Sequence, residues 1–251
     1  MKKLLVGAAA AAALIAPGVA SADTQGAIDF TYGSNDFSYG DFDNYTLGGG
    51  IATDFSHGLR IQLDGSTTTQ DWDGSSGSYS HGYAAAHLSG DLGGVNVGGF
   101  AGMLNYYGDG GAVYGVEARS SWNALSFDGY LAASDFNDNN YDGTHYGIGA
   151  AWFFSPNFAL TGGVERSDIN SFTDFEITEL SLGGAYQFAN NFEVFGEYID
   201  TDGDRSSGTD YDGETLQIGL RMNIGGGTLQ DNANGGLWGA ARDISETYSR
   251  W

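Results

Sequence analysis

The chain has 251 residues, no cysteine, 42 glycines and two prolines, and its 32 acidic residues against nine basic ones give a formal net charge of −23. Without cysteine there is no disulfide framework, and so acidic a chain makes a poor partner for nucleic acid or anionic lipid surfaces. Abundant glycine and charge would fit low-complexity disorder, but bulky apolar and aromatic residues recur at alternating positions, which disorder does not require.

The first element is a leader. Lys2 and Lys3 precede an apolar run from Leu4 to Ala16, and Ala20-Ser21-Ala22 supplies small residues before Asp23. This is the n-region, h-region and cleavage pattern of a secretory signal peptide over residues 1–22. The run falls short of the roughly 20 apolar residues that a membrane span needs. Cleavage after Ala22 would remove both lysines and leave seven arginines against 32 acids, a net charge of −25. No later segment is long and apolar enough for a membrane helix.

Residues 23–224 repeat with a period near 33. Short turns flanked by bulky residues recur at 55–59, 88–92, 122–125, 154–158 and 188–192. Between them lie aspartate-rich links at 34–43, 70–79, 107–112, 134–143, 167–176 and 200–214, which hold 18 of the 32 acids and a single arginine. Six two-stranded units give about twelve strands. Short turns at one end, polar links at the other and strands of roughly ten alternating residues predict an all-β, transmembrane, antiparallel up-and-down barrel. A soluble sandwich would turn its apolar face inward and has no need of unequal loops.

The alternation assigns the faces. Ile28, Phe30 and Tyr32 share one phase, as do Leu59, Ile61 and Leu63, Tyr146 and Ile148, and Leu180 and Leu182. These face outward, to lipid, and Phe55, Trp122, Phe154, Phe158, Phe188 and Phe192 form an aromatic girdle at the short-turn level. The opposite phases carry Asp29, Arg60, Asp64, Glu117, Arg119, Asp128, His145, Glu165, Glu179, Glu193, Glu197, Gln217 and Arg221. Charged groups face hydrocarbon only at high cost, so these line the interior. Eight of them are acids and three are arginines, an excess of five negative charges that biases permeation toward cations. The phasing weakens at 95–104 and 192–199, where Phe100 and Phe195 point inward. Twelve strands imply a backbone radius of roughly 12 Å, which side chains either fill or leave as a narrow water path.

The stretch Gln217-Ile-Gly219-Leu-Arg-Met222-Asn-Ile224 ends the barrel. It resembles the terminal-strand assembly signal of outer-membrane barrels, and across nearly all of residues 23–251 the chain is similar to small Gram-negative outer-membrane porins. In that family the signal usually ends on a C-terminal aromatic, whereas here it is internal and Trp251 lies beyond it. The resemblance implies the bacterial outer membrane, contact with lipid and lipopolysaccharide, and insertion by the barrel-assembly machinery. It also implies passage of small hydrophilic solutes or ions, and it admits a homo-oligomer.

Residues 225–251 form a tail. Gly225-Gly226-Gly227 is a flexible exit, and Leu237, Ala241, Ile244, Tyr248 and Trp251 fall at helical spacing on one stripe. With Asp231, Asp243 and Glu246 in the tail and Arg60, Arg119 and Arg221 near the short-turn ends of their strands, the tail is expected to pack against or partly across that mouth, acids beside the basic cluster.

Two other readings compete. A structural or adhesive barrel would act through its acidic loops. A hydrolase would need a nucleophile and base, but the four histidines (His57, His81, His87 and His145) accompany no Gly-x-Ser-x-Gly elbow and no Ser/His/Asp set at one level, so no catalytic residue is assigned. Asp138-x-Asn140-x-Asp142-Gly143 opens like an EF-hand loop, but the twelfth position is Gly149. No metal site or cofactor is therefore assigned. The acidic loops are left with weak divalent-cation binding that bridges lipopolysaccharide phosphates.

Overall fold

The computed structural model describes residues 24–250 except 56–57, 75–76, 107, 137–141, 171–173, 190, 207–210 and 226. The expected leader, His57, most of the EF-hand-like string and Trp251 lie outside the described residues.

Twelve strands follow in order: β1 (Thr24–Phe37), β2 (Gly40–Asp54), β3 (Leu59–Trp72), β4 (Ser78–Asp91), β5 (Val95–Tyr106), β6 (Asp109–Trp122), β7 (Leu125–Phe136), β8 (Asp142–Ser155), β9 (Phe158–Asn170), β10 (Phe175–Ala189), β11 (Phe192–Arg205) and β12 (Tyr211–Ile224). Each pairs antiparallel with its sequence neighbours, and β1 closes the ring on β12 from Gly26↔Ile224 to Phe37↔Gly213. Closure leaves no free sheet edge. Two short helices follow, α1 (Leu229–Gly235) and α2 (Ala240–Ser249).

The expected outward phases are outward. Leu63, Ile148, Leu180, Leu182, Leu216, Ile218 and Leu220 are all exposed, as are the six girdle aromatics. A second ring lies about eight residues further along the strands, where Tyr45, Tyr114 and Tyr146 are exposed. At 3.3 Å per residue and a 40° tilt, the apolar band between the two rings is about 20 Å tall.

Two expectations need correction. The second short turn falls at Leu92-Gly93-Gly94, because the β4–β5 ladder runs on from Leu88↔Gly99 to Asp91↔Asn96. There the Asp91 carboxylate accepts from the Gly93 and Gly94 amides at 3.1 and 3.2 Å. Both glycines have φ near +71° and +93°, a region that side chains disfavour.

The larger correction concerns the polar links, which are mostly strand. Residues 34–43 form the ends of β1 and β2 around a two-residue turn, Ser38-Tyr39. Above the apolar band the sidedness reverses: Phe37, Phe42, Phe136, Ile169, Phe175, Ile177 and Ile199 are buried inside the barrel. Phe42 stacks on Trp72 at 4.5 Å and on Phe37 at 5.8 Å, and Tyr39 approaches Trp72 and Tyr211 at 5.6 and 5.9 Å. Once both faces of a strand leave the apolar surroundings, polar residues belong outside and apolar ones inside, as in any water-soluble sheet.

Candidate functional site: an interior occupied by the tail

Beyond Ile224 the chain turns inward. Gly225 has φ +104° and lies so close to β1 that a Cβ there would meet the Thr24 carbonyl at 2.7 Å, so only glycine fits. Thr228 caps α1. Its hydroxyl accepts from the Asp231 amide at 3.2 Å, while Asp231 Oδ2 accepts from the Thr228 amide at 2.9 Å. The Thr228 amide and, at 2.7 Å, the Thr228 hydroxyl both donate to Oδ2 and hold the exposed Asp231 carboxyl below its ordinary pKa.

Short-turn residues bind α1 across their mouth of the barrel. The Gln230 amide donates to the Pro156 carbonyl at 2.9 Å, and its side chain donates to the Asn123 carbonyl at 2.7 Å. Leu229 packs with Phe153 and Ala159.

Trp238 is the next anchor. Gln62 receives a hydrogen bond from its amide (2.7 Å) and gives one to its carbonyl (2.9 Å), and the indole N–H donates to Ser89 Oγ at 3.3 Å. Arg119 donates to the carbonyls of Gly236 and Leu237 at 3.2 and 3.1 Å, and its guanidinium stands 4.6 Å over the Trp238 ring.

From there α2 climbs through the interior. Ala241, Ile244 and Tyr248 are almost fully buried against an inward-facing apolar wall that includes Tyr83, Phe100, Leu104, Val113 and Phe136. The inward Phe100, which blurred the strand phasing, belongs to this wall. Tyr248 OH lies 2.7 Å from Ser134 Oγ, which meets His145 Nε2 at 2.9 Å, and His145 Nδ1 meets Ser167 Oγ at 2.8 Å. At the far end the carbonyls of Ser249 and Arg250 accept from Gln70 and from the Tyr39 hydroxyl.

The tail thus crosses the mouth as expected, but it also runs the depth of the barrel. Its charges pair differently from the expectation. Glu246 bonds Arg242 at 2.7 Å and Arg250 at 3.4 Å within its own helix, and Asp231 serves as a cap. The wall arginines are engaged elsewhere: Arg60 by Asp54 and Gln25, Arg119 by tail carbonyls, and Arg221 by Glu193 at 3.1 Å. The stripe residues Ala241, Ile244 and Tyr248 share the buried face, whereas Leu237 lies ahead of the helix.

The polar face of α2 borders open space. A cavity of about 440 Å³ lies between α2 and the β9–β12 side, and Asp29, Asp64, Arg119, Asp128, Glu193, Glu197, Gln217 and Arg221 line it. From the tail, Arg242, Asp243 and Glu246 join them. A second cavity of about 170 Å³ reaches Glu165.

The other four residues assigned to the interior border neither cavity. Arg60 is buried at the short-turn end, and His145 and Glu179 lie under the tail. Glu117 bonds His87 at 2.7 Å, whose other ring nitrogen lies 2.8 Å from Asp64. His87 sits between two carboxylates, and its ring stacks on Phe100. Sequence reasoning placed no ligand-like role on Gln62, Gln70 or Ser134. Gln62 was legible as inward by its phase, but Gln70 and Ser134 fell in segments expected to be polar links, and the tail that all three bind was not visible.

No protein-family model matches the sequence, and no curated protein matches it. Solved structures do match the fold. An outer membrane channel from Pseudomonas putida F1 superposes with a TM-score of 0.60 at 13% identity, over 84% of this chain and 100% of that one. The NanC porin gives 0.58 at 11% identity over 78% and 100%. The CymD monoaromatic hydrocarbon channel gives 0.50 at 9% identity over 80% and 88%. The twelve-stranded closed barrel is therefore the fold of small outer-membrane channels. At such identities the likeness is one of fold, and the tail must be read from this chain itself.

Proposed function

We propose that the protein is an outer-membrane channel for small hydrophilic solutes, that it prefers cations, and that its own C-terminal tail narrows it. The observation that carries this reading is the charged cavity beside α2. Seven acids border it (Asp29, Asp64, Asp128, Glu193, Glu197, Asp243 and Glu246) against three arginines (Arg119, Arg221 and Arg242). A polar, negatively charged path inside a barrel with an apolar outer belt attracts cations and repels anions. The aromatic rings on either side of that belt suit the two interfaces of a thin bilayer.

In this reading the short turns face the periplasm and the acidic far end faces outward, where divalent cations bridge it to lipopolysaccharide phosphates. Among the described residues no group of three or more acids or histidines forms a metal site, so such binding would be diffuse. Residues 217–224, which pair with β1 to close the barrel, would be the segment read by the assembly machinery. The leader at 1–22 would direct export.

A second reading has one observation in its favour. The tail and the aromatic far end together fill much of the bore, which suits a structural barrel that does not conduct. Reversal potentials of purified protein in planar bilayers under a salt gradient separate the two. A cation-directed potential supports the channel, an anion-directed one defeats its charge assignment, and silent membranes support the structural barrel.

A further inference from the structure

The tail carries two arginines into the interior, and each guanidinium ends on a wall carboxylate. Arg242 Nη1 lies 2.8 Å from Asp29 Oδ1, and Arg250 Nη1 lies 2.6 Å from Glu179 Oε1. Both acids are only 4% exposed.

The Glu179 seat is built from several strands. Its Oε2 accepts from Thr247 Oγ1 at 2.8 Å, and its Oε1 accepts from Thr201 Oγ1 at 3.5 Å. Directly opposite on β9 stands Glu165, which accepts from Tyr130 OH at 3.1 Å. Without Arg250 two carboxylates would face each other across adjacent strands in an enclosed space. Like charges so placed repel, and a buried charge stripped of its partner is costly.

The Asp29 seat lacks a wall cation as well. Its cross-strand neighbour is Arg221, but that guanidinium turns to Glu193 on the other side. The remaining wall arginines are committed too: Arg166 pairs with Asp168 and Glu176, and Arg205 lies over Phe175. Both carboxylates thus belong to the wall and both guanidinium groups to the tail, which at Glu179 also supplies the Thr247 hydroxyl. Asp29 and Arg242 also border the 440 Å³ cavity, so a solute entering the interior meets that pair directly.

The geometry points to Asp29 and Glu179 as guanidinium-binding seats of the channel interior, which the tail fills as a tethered ligand and for which free guanidinium-bearing solutes compete. A planar guanidinium presents five donors in a fixed fork and stays charged, so it serves several acceptors at once where a compact ammonium does so less well: Arg242 reaches Thr31 Oγ1 at 3.5 Å and Glu246 besides Asp29, and Arg250 reaches Glu246 besides Glu179. As a statement about permeating solutes, this rests on the channel reading. As a statement about binding, it does not.

The deciding experiment uses the full chain with Arg250→Ala. Thermal release of the tail in detergent is followed by Trp238 emission, with ethylguanidinium, ethylammonium or sodium chloride added at equal millimolar concentration. Ethylguanidinium should restore the melting temperature lost by Arg250→Ala, while the other two leave it low and Arg250→Ala with Glu179→Gln gains nothing. Absent rescue, or equal rescue in the double variant, overturns the seat.

A second arm records potassium currents from a chain ending at Ile224, whose β1–β12 ladder is intact without the tail. Arginine amide should block it at about tenfold lower concentration than lysine amide, and Asp29→Asn with Glu179→Gln should abolish the difference. Block that ignores both substitutions overturns the competition. Silence in every form refutes the channel reading but leaves the rescue result to decide the seat.

Discussion

Ile244→Ala is the sharpest probe of tail docking. Ile244 has no exposed surface and belongs to the buried cluster that joins α2 to Tyr83, Phe100 and Phe136. Truncating a fully buried isoleucine to alanine costs about 3 kcal/mol, combining lost transfer energy with the cavity left behind. The barrel ladder closes through β1–β12 and needs no tail residue, so this loss falls on the docked-to-undocked equilibrium of the tail rather than on the strands. Hydrogen exchange reads that equilibrium locally. The α2 amides should exchange about a hundredfold faster, while amides of the strand ladder keep their protection. Ile218→Ala, which trims an exposed side chain on the outer face, should leave α2 exchange unchanged. Unaltered α2 protection in Ile244→Ala, or equal acceleration in every strand, would refute the packing argument.

Other expectations follow from the same contacts. Arg119→Ala removes two hydrogen bonds to tail carbonyls and the stacked guanidinium, about 2 kcal/mol in all. The Trp238 emission, isolated as the difference from Trp238→Phe, should shift to the red. Tyr248→Phe removes one buried hydroxyl contact with Ser134 and should cost about 1 kcal/mol of docking, measured by the same exchange experiment. In α1 the folded pKa of Asp231 is depressed, so the stability from its capping box is complete above the unfolded value of about 3.9 and is lost as pH falls through the lower folded value. Amide exchange of α1 against pH should show that loss, and Asp231→Asn, which removes the titrating carboxyl, should abolish the dependence. Asp128→Asn with Glu197→Gln removes two cavity acids and should reduce the cation bias of the current, as reversal potentials would show.

Much of the barrel was legible because its central band obeys one strict rule. Residues such as Leu216, Ile218 and Leu220 alternate with Gln217, Gly219 and Arg221, and a period of two with unlike faces leaves little choice of fold. The far end was not legible, for the same reason in reverse. Around Phe37 and Phe42 the apolar phase moves to the inner face, so the run that is clean at Ile28 and Phe30 breaks up and looks like a loop. The helical stripe Ala241, Ile244, Tyr248 was readable from spacing alone. Its destination was not, because the receptor is assembled from six strands that local sequence does not bring together. Phe100 was the available hint: an inward aromatic in a lipid-facing barrel needs something apolar to cover it.

Single-channel recording of the full chain beside a chain ending at Ile224 tests the central claim most directly, since the claim is of an acidic channel narrowed by its own tail. The shorter chain should show the larger unit conductance, with both forms reversing toward the cation potential in a salt gradient. Equal conductance from two correctly assembled barrels, or anion preference in either, would contradict it.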